Sequence, residues 1–344
     1  MDHGARHPRV ARRVDAMISR RAIAWCALAL ATAASTFVPG AFAQAQSYPT
    51  RPVRLVVALA AGGPTDIVMR IVAAKMSEQL GQQIVVDNRA AAGGSVAGEI
   101  VANAPADGYT LFAGANGTIA IAPSLFRKLP FSISRDFTPI ALLGNSPFAV
   151  MVHPGVPAAS VKELLALAKT KPGAINFGSS GQGGTGHLAT ELLILMTGVR
   201  MTHVPYKGAG PALIGLVSKE IELMISGLAS GLPYIKQKQI RAIAVTSPKR
   251  VPQLPDVPPV ADTVAGYEAG SWYAILARAG TPRPIVERLN REAATALNSP
   301  DVNAKLVSSG VDPDPLTPEQ LGAKIRAETD RWAKVVKAAG LKTQ

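Results

Sequence analysis

The segment "VRLVVALAAGGPTDIVMRIVAAKMSEQLG", residues 53–81, holds one complete strand, glycine turn and helix. Its first seven residues are almost wholly apolar, which is typical of a strand buried on both faces. Glycines and a proline follow, and the remainder has apolar positions at helical spacing up to Gly81. A buried strand joined to a helix by a short turn is the repeating unit of parallel sheets. We therefore predict an α/β fold.

The same unit recurs along the chain. "QIVVDNR" (83–89) and "YTLFAGANGT" (109–118) predict two further strands, with a helix within "AAAGGSVAGEIVANA" (90–104) between them. The pattern restarts at "PFAVMVHP" (147–154), where Ser160 and Glu163 form a capping box for the next helix. Further strands are predicted over 173–180, 200–208, 221–228 and 240–247.

A segment with five prolines, 248–259, interrupts the pattern as a surface loop or linker. One more strand, "SWYAILARAG" (271–280), precedes three helices announced by Thr281-Pro282, Ser299-Pro300 and Thr317-Pro318, each a cap residue before a proline. The final helices have no further strands between them, so we expect the chain to return and cover its first part. We predict domain 1 over 44–152 plus 269–344 and domain 2 over 153–268.

Residues 1–43 have the composition of an export leader. Arg20 and Arg21 precede an apolar run, and Ala41-Phe42-Ala43 has the small-x-small form of a signal-peptidase site. We predict cleavage after Ala43 and release into the periplasm; a start at Met17 would give the same leader in a more compact form.

Charge and cysteine usage narrow the function classes. Removing residues 1–43, which hold six arginines and two acidic residues, lowers the formal charge from +13 to +9. The remaining Lys and Arg are dispersed and aromatic residues are sparse, so we predict no nucleic-acid partner. The one cysteine, Cys26, lies in the predicted leader, which leaves the mature chain without a disulfide or a thiol nucleophile.

The stretch "FGSSGQGGTGHLATE", residues 177–191, contains a G-x-G-x-x-G pattern at Gly181–Gly186. A dinucleotide site also needs an acidic residue at the end of the next strand, and that strand ends in Val204–Lys207 without one. Unpaired N–H groups at a helix N-terminus bind a carboxylate as readily as a phosphate. We therefore predict that this loop binds a small anion rather than a nucleotide.

Patterns for catalysis are weak. Three histidines lie beyond the leader, His153, His187 and His203, and they are not grouped in a pattern typical of a metal site. The sequence Gly178–Gly181 also lacks the spacing of a hydrolase nucleophile elbow. We predict no enzyme activity, no metal and no cofactor. The alternative is an exported hydrolase that uses Ser179 or Ser180 with His187.

Seven segments, in order, resemble the tripartite tricarboxylate transporter substrate-binding proteins, also called Bug-type receptors. They are "YPTRPVRLVVALAAGGPTDIVMR" (48–70), "VVDNRAAAGG" (85–94), "ADGYTLFAGANGT" (106–118), "FGSSGQGGTGHLATEL" (177–192), "HVPYKGAGPAL" (203–213), "AVTSPKRVPQLPDVPPVAD" (244–262) and "YEAGSWYAILARAGTP" (267–282). The resemblance implies a two-domain periplasmic binding protein fold of type II, with two crossover segments and a ligand cleft between the domains. It also implies a receptor that captures a small carboxylate and delivers it to membrane transporter subunits, without a cofactor. We expect a monomer.

The resemblance also implies which residues hold the ligand. The loop Ala60–Asp66 stands at the first-domain site and the loop Ser179–His187 at the second. An aspartate is frequent in the family at the position of Ser226, and its absence removes a partner for a ligand ammonium group, so we predict a carboxylate without an amino group. An alternative is a ligand-dependent partner of a signalling protein. The predicted ligand-binding residues are Gly62, Gly63, Thr65, Asp66, Asn116, Ser179, Gly183, Thr185, His187 and Ser226.

Overall fold

The computed structural model describes Met1 and residues 48–341. The predicted leader, its cleavage site and Met17 lie outside the described residues. Nine strands form the sheet: β1 (Val53–Val57), β2 (Ile84–Asn88), β3 (Thr110–Ala115), β4 (Phe137–Val152), β5 (Asn176–Ser179), β6 (Thr202–Pro205), β7 (Leu223–Gly227), β8 (Arg241–Val245) and β9 (Gly270–Arg278).

Eleven α-helices lie in the described part of the chain, together with a π-helical turn at Gly117–Ile121 and 3-10 turns at Ala92–Gly94 and Val260–Asp262. The α-helices are α1 (Pro64–Leu80), α2 (Ser95–Ala102), α3 (Ala122–Leu125), α4 (Ile133–Asp136), α5 (Val161–Thr170), α6 (Thr185–Thr197), α7 (Ala209–Val217), α8 (Leu228–Lys236), α9 (Arg283–Asn298), α10 (Pro300–Ser308) and α11 (Pro318–Ala338).

The strands run in the order β2-β1-β3-β9-β4-β7-β5-β6, and β8 pairs with β4. Pairing is parallel in β2-β1-β3 and in β7-β5-β6, as the strand, turn and helix units predict. It is antiparallel wherever β4 or β9 takes part. Two parallel groups are therefore joined through the same two antiparallel strands.

Strand β4 is longer than the sequence pattern indicated. The prediction began it at Pro147, whereas the strand runs from Phe137 through all 16 residues to Val152. Its first part contains Pro139 and Gly144, residues that normally interrupt strands. The register against β9 shifts near both of them, so the strand absorbs these residues as local irregularities. Up to Pro147 the strand pairs with β9, and from Phe148 onward it pairs with β7 and β8.

The helix starts show a second difference. Thr317 caps α11 with its side chain and forms a capping box with Gln320, as its position before a proline predicts. Neither Thr281 nor Ser299 caps a helix with its side chain, because the two hydroxyls donate to the carbonyls of Arg278 and Ala296 in the preceding turns. Proline in the first turn therefore predicted these helices correctly, while the capping role was wrong at two of three sites.

Apolar side chains pack on both faces of the sheet. One cluster joins α1, α9 and α10 to β1, β3 and β9, so the last helices do return to the first part of the chain. A larger cluster includes Trp332 and Val335 of α11 together with Leu188 of α6, which links the end of the chain to the second strand group. No helix among residues 48–341 is long and apolar enough to cross a membrane. The domain boundaries at 152 and 268 stay predictions.

Candidate functional site

A cleft of ≈ 800 Å³ lies at the carboxyl ends of the parallel strands, where ligands of open α/β sheets bind. The turn after β1 contributes Pro64 and Thr65, and the turn after β3 contributes Ala115–Thr118. On the other side, the glycine loop after β5 contributes Gln182–Thr185. The structure thus brings together the two loops that the sequence singled out separately.

Asp66 holds the first loop in shape. Its Oδ2 accepts hydrogen bonds from the Gly62 N–H and from Arg70 Nε, both at 2.9 Å, and the carboxylate is almost fully buried. The Arg70 guanidinium keeps the pKa of Asp66 below its usual value, despite the opposing effect of burial. Asp66 therefore closes the turn that positions Thr65 at the cleft surface.

The first turns of α1 and α6 leave N–H groups without an intrahelical partner. In α1 the helical bonds begin with Ile67 N–H to Gly63 O, and in α6 with Leu188 N–H to Gly184 O, each at 3.0 Å. Neither helix has a side-chain cap. A helix N-terminus carries about half a positive charge, so the cleft receives this partial charge from each of two walls.

The glycine loop is braced by its own hydrogen bonds. Gly181 N–H donates to Ser179 Oγ at 3.2 Å, and Gly184 N–H donates to Gly181 O at 3.2 Å. Gly183 N–H donates to His187 Nδ1 at 3.0 Å. Because the Gly183 N–H already donates to His187, Gly183 offers the cleft a bare backbone surface. The N–H of Thr185, the first residue of α6, has no partner among the described residues.

A stack of three rings supports this loop from behind. His187 and His203 are parallel with centroids 3.7 Å apart, and Phe177 lies against His203 at 4.9 Å. Because His187 Nδ1 accepts from Gly183, its proton is on Nε2, which faces Glu191 Oε1 at 3.3 Å. Burial, with a smaller effect from His187, lowers the pKa of His203 to about 4.

The stack also excludes Ser179 as the nucleophile of the hydrolase alternative. Ser179 Oγ lies 2.7 Å from His203 Nε2, not beside His187, and Ser179 is fully buried. A substrate carbonyl cannot reach that oxygen. The His187–Glu191 pair, four residues apart, was overlooked in the sequence, but among residues 48–341 no group of three or more His, Cys, Asp or Glu side chains could hold a metal ion.

Asn116 lies at the floor of the cleft, directly after β3. Its Nδ2 donates to Gly270 O at 2.8 Å, which links the floor to the start of β9. Its Oδ1 is buried and has no hydrogen-bond partner within the described residues. A buried amide oxygen without a partner is costly, about 1–3 kcal/mol, so Asn116 is a strong candidate for contact with a ligand or a bound water.

No acidic, basic or histidine side chain belongs to the described lining of the cleft. Polar contacts are available from Thr65, Asn116, Thr118, Gln182, Thr185 and Ser271 as well as from the main chain. Apolar side chains complete the wall, namely Leu59, Leu125, Phe126, Tyr273 and Leu341. The cleft therefore offers dipoles and apolar surface, but no formal charge.

The predicted residues divide into three groups. Thr65, Asn116, Gly183 and Thr185 line the cleft. Gly62, Gly63, Asp66, Ser179 and His187 lie in the same two loops, and Asp66 and His187 brace them. Ser226 is paired with Ala149 inside the sheet and is outside the lining. Their roles in binding stay predictions.

Several lining side chains were not among the predicted site residues. Tyr273 lies two residues after Ser271, on the same face of β9, and both residues line the cleft, so the alternation of a strand could have indicated it. Leu125, Phe126 and Leu341 gave no sequence signal, because only the folded chain brings their segments to the cleft.

Solved structures share this architecture. The Rhodopseudomonas palustris protein Rpa4515, solved with adipate, is 40% identical, with a TM-score of 0.71 over 85% of this chain and 98% of that one. MatC from the same organism, solved with bound malate, is 34% identical, with a TM-score of 0.68 over 84% of this chain and 100% of that one.

Curated relatives match over similar lengths. BugT from Bordetella pertussis is 35% identical over 302 residues, which are 87% of this chain and 92% of that protein. A Pseudomonas protein named for the tcbD-tcbE intergenic region is 37% identical over 319 residues, or 92% and 93% of the two chains.

The fold and the cleft together define a two-domain solute-binding receptor, as in these structures. Residues 68–341 match the model of the tripartite tricarboxylate transporter family receptor, and the chain belongs to that family. This confirms the predicted family and fold class. It also confirms the prediction that the protein is not an enzyme, because the family and its solved members are receptors.

Proposed function

We propose that this protein is a periplasmic receptor that captures a small organic carboxylate and delivers it to the membrane subunits of a tripartite tricarboxylate-type transporter. One observation carries the proposal: two helix N-termini, whose first N–H groups have no partner among the described residues, lie at one cleft whose described lining has no formal charge. Main-chain N–H groups at a helix start stabilise a carboxylate without a charged side chain.

The number of N-termini supports a ligand with two carboxylates. Each would be held by one helix start, and a third would lose its water without a compensating cation, at a cost of several kcal/mol. The ligands named in the two solved relatives, adipate and malate, both carry two carboxylates. A dicarboxylate is therefore the class that we propose.

We also propose a ligand without an amino group. In the sequence, the serine at position 226 indicated this, but Ser226 lies outside the cleft lining. The stronger support is the composition of the described lining, which has no carboxylate to pair with an ammonium group. An ammonium that lost its water there would remain without an ionic partner.

A thermal-shift panel tests the function. The mature protein is heated with succinate, malate, adipate, citrate, aspartate and an aromatic monocarboxylate. A ligand at a concentration of 100 times its Kd stabilises the folded state by about 2.7 kcal/mol and raises the Tm. We expect succinate, malate and adipate, which have two carboxylates and no amino group, to raise it, and citrate and aspartate to have little effect. A flat response to the whole panel would refute the receptor assignment.

Location and delivery need separate tests. We propose export with cleavage after Ala43, so the periplasmic form should begin at Gln44, and mass spectrometry of that fraction measures this directly. Uptake of the ligand by membrane vesicles that contain the transporter subunits should require added receptor. Size-exclusion chromatography with light scattering should show the proposed monomer.

A further inference from the structure

The turn that ends α11 contributes a wall of the cleft. Gly340 has a φ of +63°, and two hydrogen bonds close the turn: Gly340 N–H to Lys337 O at 3.1 Å and Leu341 N–H to Val336 O at 3.2 Å. This pair of bonds is the Schellman motif, which usually brings the residue after the glycine against the helix three positions before its cap. Leu341 and Val336 belong to the same apolar cluster.

Packing contacts hold Leu341 in its position at the cleft. Helix α11 packs on the π-helical turn after β3 and on α3, both of which contribute to the cleft. Leu341 is half-buried, and both it and Leu125 of α3 pack against the main cluster and line the cleft. A side chain fixed by a helix end and a packed cluster is a firm surface rather than a mobile one.

The apolar wall and the two helix starts would contact different parts of a dicarboxylate ligand. The free N–H groups lie at the starts of α1 and α6, so the ends of a dicarboxylate belong there. The hydrocarbon between the ends would contact the apolar side chains, among which Leu341 comes from the turn after α11. One methylene too many or too few in an apolar pocket changes affinity by about 10–200-fold.

We propose that Leu341 is a specificity-determining residue that limits the length of the dicarboxylate held in the cleft. The inference rests on the proposed function and deepens it, because it assigns the length preference to one side chain. Truncation of Leu341 makes room beside the ligand, and a larger side chain removes room.

The test measures dissociation constants by calorimetry for succinate, glutarate, adipate and pimelate. For Leu341→Ala we expect the preference to move to a longer acid, with the ratio of the Kd for a shorter acid to that for a longer acid rising by about tenfold. For Leu341→Trp the ratio should move in the opposite direction. Leu195→Ala, at a 48% exposed leucine of α6 outside the cleft, is the matched control and should keep the wild-type order.

The outcomes separate the two claims. If the wild type binds members of the series and both Leu341 variants keep its length order, the inference is wrong and the receptor function stands. A uniform loss of affinity for all lengths also contradicts it, because general damage to the fold weakens every acid alike. If the wild type binds none of the acids in the series, the proposed dicarboxylate receptor and this inference fail together.

Discussion

Gly183 leaves little room for a side chain between the glycine loop and the facing wall of the cleft. Its φ is +75°, a conformation that costs other residues about 1–2 kcal/mol, and an added Cβ would lie 3.1 Å from Leu125 Cδ1 on the facing wall. A glycine at position 183 therefore allows the positive φ and also leaves space in the cleft.

Gly183→Val should weaken ligand binding by at least about tenfold while the protein stays folded, because the strain is a fraction of a typical stability of about 5–15 kcal/mol. Calorimetry with the best acid of the panel and circular dichroism measure the two effects. Gly198→Val is the control, since Gly198 has a φ of +68° and open space around it but lies at the other end of α6. Equal binding by the two variants would contradict the role of Gly183.

His203 gives the fold a defined response to acid. Its pKa is about 4 in the folded protein and about 6.5 in an unfolded chain. Between these values the unfolded chain binds a proton that the folded one does not, so His203 makes stability fall as the pH drops from about 6.5 toward 4.

We expect His203→Gln to flatten this part of the stability profile, because glutamine can still hydrogen-bond to Ser179 Oγ but does not titrate. Urea unfolding at several pH values between 4 and 7 gives the slope for each protein. His153→Gln, which removes a histidine outside the stack, is the control for the loss of one histidine. An unchanged slope in His203→Gln would show that another group titrates there.

Helix ends that share a glycine in the sequence have different roles in this protein. Gly81, Gly198 and Gly340 each end a helix at positive φ. Of these three turns, only the one at Gly340 contributes residues to the described lining of the cleft. The same short motif therefore stops a helix in two places and shapes the site in the third.

This difference predicts separable effects for Gly340→Ala and Gly81→Ala. An added Cβ meets nothing within 4 Å at either position, so both variants should lose a similar amount of stability, about 1 kcal/mol, from backbone strain alone. Only Gly340→Ala should change the affinity for dicarboxylates, because it alters the turn that positions Leu341. Urea unfolding and calorimetry compare the pair, and equal ligand affinities would place Leu341 outside the binding surface.

Local patterns predicted most elements and both loops of the cleft. Strands β1, β2 and β3 and helix α1 follow from apolar runs and glycine turns, which depend on neighbours in sequence. The first part of β4 could not be predicted, because Pro139 and Gly144 are tolerated only through irregular pairing with β9, far away in sequence. Leu125, Phe126 and Leu341 could not be predicted for the same reason, because contacts between residues far apart in sequence place them at the cleft.

The two parallel strand groups share β4 and β9, and this arrangement sets how the whole molecule supports its site. Each group carries one of the two loops that line the cleft, and Asn116 Nδ2 donates a hydrogen bond to the O atom of Gly270, the first residue of β9. The first group is linked to the second through β9, which pairs with β3, and β4, which pairs with β7.

The uncharged lining has a kinetic consequence. The chain as a whole carries a formal charge of +13, or +9 without residues 1–43, which attracts anions over a distance that salt shortens to about 8 Å at physiological ionic strength. Once inside, an anion meets only short-range dipoles and apolar contacts. Added salt should therefore make encounters rarer and leave the residence time of each captured molecule nearly unchanged.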